Sequence, residues 1–341
     1  MFKTHYYGGI KKYQWTTIPL SLHGVIVKAD GTSVEVNIGE DAGDPVFCVT
    51  DLLPHLAPQQ MKRPATEIVR GEELNLLVGS MPFNKDEESE QVKLNILNIL
   101  HEKYGITETD FLSAELEAVP AFPARELGFD RSMIGGYGHD DRVCAYTSLV
   151  AMLEVENTEY TTCCLLVDKE EIGSVGATGM HSRFFENMVA EVMDRCGQYS
   201  ELKLRRTLTN SCMLSSDVNS AFDPNYANVN EKKNTAYFGK GVVFMKYTGS
   251  RGKSGSNDAS AEYIGKLRKI MDDNNVSFQT AELGRVDLGG GGTIAYILAN
   301  YGMNVIDSGV GVQNMHAPYE VISKVDLYEA YKSYKAFLKD A

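Results

Sequence analysis

Residues 140–174 read DDRVCAYTSLVAMLEVENTEYTTCCLLVDKEEIGS, and this stretch decides the fold class. Its first half predicts a helix over 140–155, because apolar residues recur three to four positions apart and share one helical face. These residues are Val143, Tyr146, Val150 and Leu153. The apolar run at 160–167 predicts a buried strand directly after that helix. A helix followed by a buried strand is typical of an α/β protein whose sheet is covered on both faces.

The same alternation continues toward the C-terminus. The predicted elements are a helix capped by Ser182, a strand over 208–215, a helix opened by Asn257 or Asp258, a strand within 276–283, a helix within 293–301 and a strand within 303–309. Gly302 ends the last of these helices. Strands that alternate with helices predict a mostly parallel sheet in a three-layer α/β/α domain.

The N-terminal third has a different pattern. Residues 18–37 alternate apolar and polar side chains around a turn signal at Asp30-Gly31, which predicts strands. One helix is predicted near 91–104, and KDEESE at 85–90 is predicted to be a solvated loop. We therefore predict a smaller β-rich domain over 19–111, a main domain over 112–341 that begins with an extended segment at 112–122, and a linker or remnant of the main domain at 1–18.

Composition restricts the class of function. The chain has 341 residues, of which 43% are hydrophobic, so it can bury a substantial core. A formal charge of −13 argues against a nucleic-acid partner, which would require clustered Lys and Arg. No apolar stretch is long enough for a membrane span, and the first residues lack the apolar centre of a signal peptide. These features predict a cytoplasmic protein without a membrane partner.

The six cysteines show no CxxC spacing, and most of them lie in apolar runs. We therefore predict buried free thiols in a reducing compartment rather than disulfides or a thiolate metal site. If the protein binds a metal, its ligands must be oxygen and nitrogen.

The segment DKEEIGS at 168–174 places three carboxylates within four residues, directly after the predicted buried strand. These residues are Asp168, Glu170 and Glu171. Carboxylates brought together out of water repel each other at a cost of several kcal/mol each, by order of magnitude, unless a cation or a shared proton compensates. The segment therefore raises the question of what compensates this charge.

Polar groups follow other predicted strands as well. The four segments are GHDDR at 138–142, DKEEIGS at 168–174, SSDVNSAFDP at 215–224 and VQNMHAP at 312–318. Ligands in α/β sheets gather beyond the carboxyl ends of strands, and carboxylates with imidazole suit catalytic zinc, cobalt or manganese. Singly, each segment has an ordinary explanation, namely a solvated Glu pair, an N-cap or a hydrogen-bonded core histidine. No HExxH-type spacing is present.

The order of these motifs, together with GGGGTIA at 289–295 and the Met-His pair at 315–316, resembles the catalytic core of the aspartyl aminopeptidase and aminopeptidase I family of dizinc exopeptidases. The resemblance extends from about Tyr6 to near the C-terminus. It implies a zinc-exopeptidase-like α/β/α catalytic domain over 112–341 with an inserted dimerisation domain over 19–111. It also implies a peptide substrate, a homo-oligomer, and two divalent metal ions that are zinc, with cobalt or manganese as alternatives.

The same resemblance implies a role for each site residue. Asp140 would bridge both metals and precede Asp141 across a cis peptide bond. Glu171 and His316 would complete one site, and Asp217 would belong to the other. Glu170 would be the general base that takes a proton from the metal-bridging water. In an extended chain, neighbouring side chains point in opposite directions, so Glu171 could face metal while Glu170 faces water.

Two departures from the family pattern are visible. The family takes a further ligand from an HTD motif in an N-terminal segment, and this chain has no HTD motif. The explanations are a truncated product, a gene fragment, an independently encoded half, or assembly with a separate N-terminal piece. Ser220 and Asp223 stand where many members have histidine, so the preferred N-terminal residue of the substrate stays open.

These observations lead to one main hypothesis and two alternatives. The main hypothesis is a zinc-dependent aminopeptidase that removes N-terminal residues from peptides. The first alternative is a catalytically impaired fragment or scaffold that keeps the fold and the assembly surface. The second is a related dinuclear peptidase that acts on other linkages.

Overall fold

The computed structural model describes residues 1–84, 89–249 and 254–341. The chain divides into two compact units, Met1–Pro123 and Ala124–Ala341. Most of the predicted loop at 85–90 lies outside the described residues, as do residues 250–253 of the glycine-rich stretch at 248–260.

The first unit is built on a three-stranded antiparallel sheet in the order β2-β1-β5. Its elements are β1 (Leu20–Val27), β2 (Ser33–Ile38), the short pair β3 (Cys48–Val49) and β4 (Leu76–Leu77), helix α1 (Gln91–Tyr104), and β5 (Ala114–Pro120). Leu20, Leu22 and Ile26 are buried along β1, because alternate side chains of a strand share one face. The predicted hairpin, helix and extended segment are confirmed.

The structural boundary between the units follows β5 instead of preceding it. Leu22 of β1 pairs with Ala118 of β5, so this strand belongs to the first unit although the sequence-based division placed it in the second. At the N-terminus, the backbone N–H and C=O groups of Phe2 and Leu76 exchange two hydrogen bonds of 3.0 Å. Residues 1–18 therefore also lie in the first unit. The dimerisation role of this unit stays a prediction.

The second unit contains two sheets and most of the helices. Its strands are β6 (Arg125–Leu127), β7 (Met133–Gly136), β8 (Cys212–Ser215), β9 (Asn219–Ser220), β10 (Val242–Met245), β11 (Phe278–Thr280), β12 (Asn304–Gly309), β13 (Gly311–Gln313) and β14 (Glu320–Ser323). Its helices are α2 (His139–Glu154), α3 (Phe184–Arg195), α4 (Glu201–Asn210), α5 (Ala261–Asp273), α6 (Ala295–Ala299) and α7 (Lys324–Asp340). The sheet orders are β11-β10-β12-β8 and β6-β7-β14-β13-β9.

Strand β12 separates two hydrophobic cores. Ile306 packs in a cluster with α2, α5 and α7, whereas its neighbour Val305 packs in a cluster with α4 and α6. Adjacent residues of a strand point to opposite faces, so helices cover this sheet on both sides. The α/β class and the layered arrangement are confirmed.

The prediction of a mostly parallel sheet is wrong. β12 pairs parallel with β8 but antiparallel with β10, and both neighbours of β14 are antiparallel to it. The sheets are mixed because short connections such as the one between β13 and β14 return the chain beside itself without a helical crossover.

Several local predictions require correction. Residues 160–167 lie in no strand, and Leu166 is 58% exposed. Residues 208–210 end α4 instead of beginning a strand, and this helix was not predicted. Helix α5 begins after Ser260, whose hydroxyl accepts the N–H of Tyr263 at 3.2 Å, so neither Asn257 nor Asp258 is the cap. Helix α7 was also missed.

The thiol prediction is partly confirmed. All six cysteines are free, but only Cys144 is buried, and Cys163 and Cys196 are exposed. Among the described residues, no helix combines the length and apolar character that crossing a bilayer requires.

Candidate metal centre

Asp140 lies where β7 passes into α2. Gly138 before it has a positive φ of 76°, and the backbone of Asp140 is not yet helical. The Asp140-Asp141 peptide bond is cis, as the resemblance implied. The backbone N–H of Asp140 donates a hydrogen bond of 3.0 Å to Oε2 of Glu320.

Glu170 and Glu171 lie in a single turn of 3₁₀ helix over Glu170–Ile172. Lys169 and Gly173 on either side have positive φ angles, and the N–H of Ser174 closes the turn on the Lys169 carbonyl at 2.7 Å. The expected extended backbone is therefore wrong, and strand alternation does not explain how the two carboxylates are separated.

Asp168 does not join the centre. Its side chain is 64% exposed, and Lys169 Nζ lies 3.5 Å from its carboxylate. The backbone N–H of Lys169 lowers the pKa of Asp168, which is the behaviour of an ordinary solvated carboxylate. Only two of the three carboxylates in this segment therefore require compensation.

Asp217 lies in the connection between β8 and β9. Strand β12 approaches Asp217 so closely that a Cβ atom on Gly309 would lie 1.8 Å from the Asp217 carbonyl oxygen. Only glycine permits this approach without moving the backbone. The position of Asp217 is thus set by the packing of β12 against it.

His316 lies in the loop between β13 and β14 and has a positive φ of 64°. Its Nε2 atom is 3.2 Å from Oδ2 of Asp140 and 3.5 Å from Oε1 of Glu171. Potential ligand atoms of these three residues all lie within 4.8 Å of one another. The structure therefore brings together three residues that were predicted as ligands of one metal.

A second group shares Asp140. Oxygen atoms of Asp140, Asp141 and Asp217 lie within 4.8 Å of one another, so this group consists of carboxylates. The resemblance assigned Asp140 and Asp217 to the second metal, and the structure places these two together. Oδ1 of Asp141 is buried without a hydrogen-bond partner among the described residues, which adds an oxygen that sequence reasoning did not count as a ligand.

Burial and mutual repulsion disfavour the charged carboxylates. Burial, together with the charges of Glu171 and Asp140, raises the pKa of Glu170 to about 7. Burial also raises the pKa of Glu171, although His316 opposes this effect. The pKa values of Asp141 and Asp217 lie well above the ordinary range, first through burial and then through the neighbouring aspartates. Carboxylates concentrated in this way need a compensating cation or a shared proton.

Comparison with known proteins gives a match over residues 1–338 to the family described as aminopeptidase I zinc metalloprotease (M18). The chain belongs to the M18 family. The predicted membership is confirmed, as is the predicted class of zinc-dependent aminopeptidase.

The match to individual M18 proteins covers nearly the whole chain. A probable M18 family aminopeptidase 1 from Clostridium acetobutylicum is 64% identical over 340 residues, which are 100% of this chain and 73% of that protein. A crystal structure of aminopeptidase I from Clostridium acetobutylicum superimposes with a TM-score of 0.93 at 63% identity and covers 99% of this chain and 73% of that one. A crystal structure of an M18 aminopeptidase from Thermotoga maritima gives a TM-score of 0.96 at 47% identity and covers 99% of this chain and 75% of that one.

Sequence reasoning missed two buried acids near the candidate metal centre. Glu320 accepts hydrogen bonds from the backbone, and it follows His316 by four residues in the sequence MHAPYE. Asp307 lies in β12 and is fully buried, and burial raises its pKa to about 7. The charge of Asp307 also raises the pKa of Asp217. The only signal for either residue was an acid inside or next to an apolar strand.

The glycines at 289–292 are explained at least in part by close packing of the backbone. A Cβ atom on Gly289 would lie 1.9 Å from the Leu283 carbonyl oxygen, so the backbone there requires glycine. Asp223, one of the two positions where the resemblance implied histidine, accepts the N–H of Asn225 at 2.8 Å and precedes a short 3₁₀ helix.

Proposed function

We propose that this M18 aminopeptidase uses two divalent metal ions, preferably zinc, to remove N-terminal residues from peptides. The observation that carries the proposal is the approach of His316 Nε2 to carboxylate oxygens of Asp140 and Glu171, at 3.2 and 3.5 Å. These residues come from three separate segments of the chain. Their convergence supports one ion at these three residues and a second ion at Asp140 and Asp217.

The chemistry of the donor set fits such ions. The first group offers carboxylate oxygen and imidazole nitrogen and the second offers carboxylate oxygen alone, and both donor types are ligands of catalytic zinc and manganese. Oδ1 of Asp141 is buried and unpartnered among the described residues, and Asp217 is buried beside like charges. A bound cation would compensate both conditions, which answers why the chain places these acids together.

Glu170 is the proton carrier in this proposal. When bound, the metal ions would acidify a water molecule and polarise the scissile carbonyl group. The carboxylate of Glu170 accepts the proton released as that water attacks the peptide and donates it to the departing amine. Burial raises the pKa of Glu170, which favours its acting as a base that later returns the proton.

Metal reconstitution tests this function. The chelator-treated protein is expected to hydrolyse chromogenic aminoacyl anilides at least about 100-fold more slowly than the same protein after zinc, cobalt or manganese is added, because metal stabilisation of the transition state is worth several kcal/mol. Release of the chromophore measures the rate, and a panel of aminoacyl groups gives the preferred residue. Peptides with a blocked N-terminus are included in the same panel, and their cleavage would show that the protein acts on other linkages.

A catalytically impaired scaffold is the second candidate. The group of Asp140, Asp141 and Asp217 contains carboxylates without imidazole, which favours weaker binding of the second ion. A protein that binds metal but stays inactive with every divalent ion and substrate supports this candidate against the first.

We also propose that the first unit pairs subunits. It exposes several large apolar side chains within ten residues, which are Leu52 at 51%, Leu53 at 50%, Leu56 at 67% and Met61 at 68%. Sedimentation velocity is expected to give a mass above that of the monomer, and Leu56→Asp to reduce it. Leu202→Asp, at a 56% exposed position on α4, is the matched control. A monomeric wild-type protein at micromolar concentration contradicts the pairing.

The cytoplasmic location stays a prediction. It rests on the six free thiols, which suit a reducing compartment.

A further inference from the structure

Glu320 connects two of the proposed metal ligands through their backbones. Its Oε2 atom accepts the N–H of Asp140 at 3.0 Å, and its Oε1 atom accepts the N–H of His316 at 2.8 Å. Asp140 lies 180 residues earlier in the chain than Glu320, so the two ligand segments meet only in the folded protein. One carboxylate therefore fixes the backbones of two distant ligand segments relative to each other.

The surroundings hold Glu320 in one place. The residue is only 2% exposed and begins β14, where it is paired with Gly136 of β7. Burial raises the pKa of Glu320, and the two backbone N–H groups oppose that increase. A buried carboxylate is retained only when its oxygens are satisfied, and the two ligand residues provide this here.

The conformation of His316 shows why such support is required. Its φ of 64° lies in the left-handed region, which costs a residue other than glycine on the order of 1 kcal/mol or more. Asn314 in the same loop has a φ of 62°, and the N–H of Ala317 bonds the Asn314 carbonyl at 2.9 Å. The two Glu320 bonds tie the backbone of this loop to the backbone of the segment carrying Asp140, in addition to the approach of the His316 and Asp140 side chains.

We propose that Glu320 is a positioning residue of the metal centre, which sets the spacing of the Asp140 and His316 ligands. This inference rests on the proposed function, because it assumes that both residues hold a metal. Among the described residues, Glu320 belongs to neither of the two groups of potential metal ligands. Glu320 acts through the backbone N–H groups of Asp140 and His316. Its removal leaves every ligand side chain present, but the two ligand segments are no longer held at a fixed spacing.

Metal affinity is the decisive measurement. Glu320→Gln keeps one acceptor oxygen but turns an amide N–H toward the second backbone N–H, so one of the two ligand segments loses its partner. The affinity for Zn²⁺, measured by competition with a chromophoric chelator, is expected to fall by about 10–100-fold. Glu320→Asp, which is too short to reach both groups, is expected to lose affinity as well.

Glu329→Gln is the matched control. Glu329 is also a buried glutamate, and its Oε2 atom accepts the backbone N–H of Ser277 at 2.7 Å in a contact to α7. We expect this variant to lower the melting temperature without changing Zn²⁺ affinity.

The outcomes separate the two proposals. If wild-type protein binds no divalent metal, the proposed function fails. If wild-type protein binds Zn²⁺ and Glu320→Gln binds it equally well, only the positioning role is overturned. Equal losses of affinity in the Glu320 and Glu329 variants would also overturn it, because a general loss of stability would then account for both. If Glu320→Gln does not fold, Glu320→Asp provides the same measurement.

Discussion

Glu170→Gln is expected to lower kcat by about 100- to 10,000-fold while the protein keeps its full metal content. The amide cannot accept a proton from water or return one to the leaving amine. Glutamine has nearly the same shape as glutamate, so the 3₁₀ turn at 170–172 is retained. Steady-state hydrolysis of an aminoacyl anilide measures the rate, and elemental analysis of the same sample measures the metal.

The control for this substitution is Glu191→Gln, because Glu191 is exposed on α3. This variant is expected to match the wild-type rate. A Glu170→Gln enzyme that retains more than about a tenth of wild-type kcat would show that another group carries the proton.

Glu171→Gln is expected to give the opposite pattern, with loss of metal as the primary defect. Glu171 Oε1 lies 3.5 Å from His316 Nε2, within the group that includes Asp140. The substitution removes a negatively charged ligand. Its effect on affinity should therefore exceed the about 10–100-fold that follows loss of a group bonded to a ligand. Calorimetric titration with Zn²⁺ measures the affinity.

The two neighbouring variants must differ in kind as well as in size. Excess Zn²⁺ is expected to restore part of the activity of Glu171→Gln and none of the activity of Glu170→Gln. If Zn²⁺ affinity is unchanged in Glu171→Gln, then Glu171 is not a ligand, and the assignment of Asp140 and His316 must be revised.

The sequence predicted which residues would converge better than it predicted how the backbone brings them together. The segments that carry Asp140, Glu171 and His316 were noted because acids and imidazole follow apolar runs, and the family resemblance then selected these residues as ligands. The structure brings their potential ligand atoms within 4.8 Å of one another. The run at 160–167 satisfied the criterion for a buried strand, yet it lies in no strand. An apolar run reports the tendency to be buried, whereas a strand also needs a neighbour with free backbone groups, which one segment cannot reveal.

Glu320 and Asp307 escaped prediction for a different reason. Glu320 acts on backbone N–H groups of residues that are distant in sequence, so no side-chain spacing marks it. Asp307 faces hydroxyl groups of Thr293, Ser215 and Thr248, which lower the pKa that burial raises. Such contacts depend on the way strands are paired. Asp307, for example, is aligned with Ser215 through the parallel pairing of β12 and β8.

The turn that carries Glu170 and Glu171 also limits how this gene can change. Lys169 and Gly173 at its ends have positive φ angles, and the N–H of Ser174 bonds the Lys169 carbonyl. This closed turn therefore fits a fixed number of residues. In a 3₁₀ helix each residue advances the side chain by about a third of a turn. Insertion or deletion of one residue in this turn would therefore rotate the side chains of Glu170 and Glu171, so that neither carboxylate would keep its present neighbours. Length variation among descendants of this chain should consequently be excluded from this loop, even where substitutions around it are tolerated.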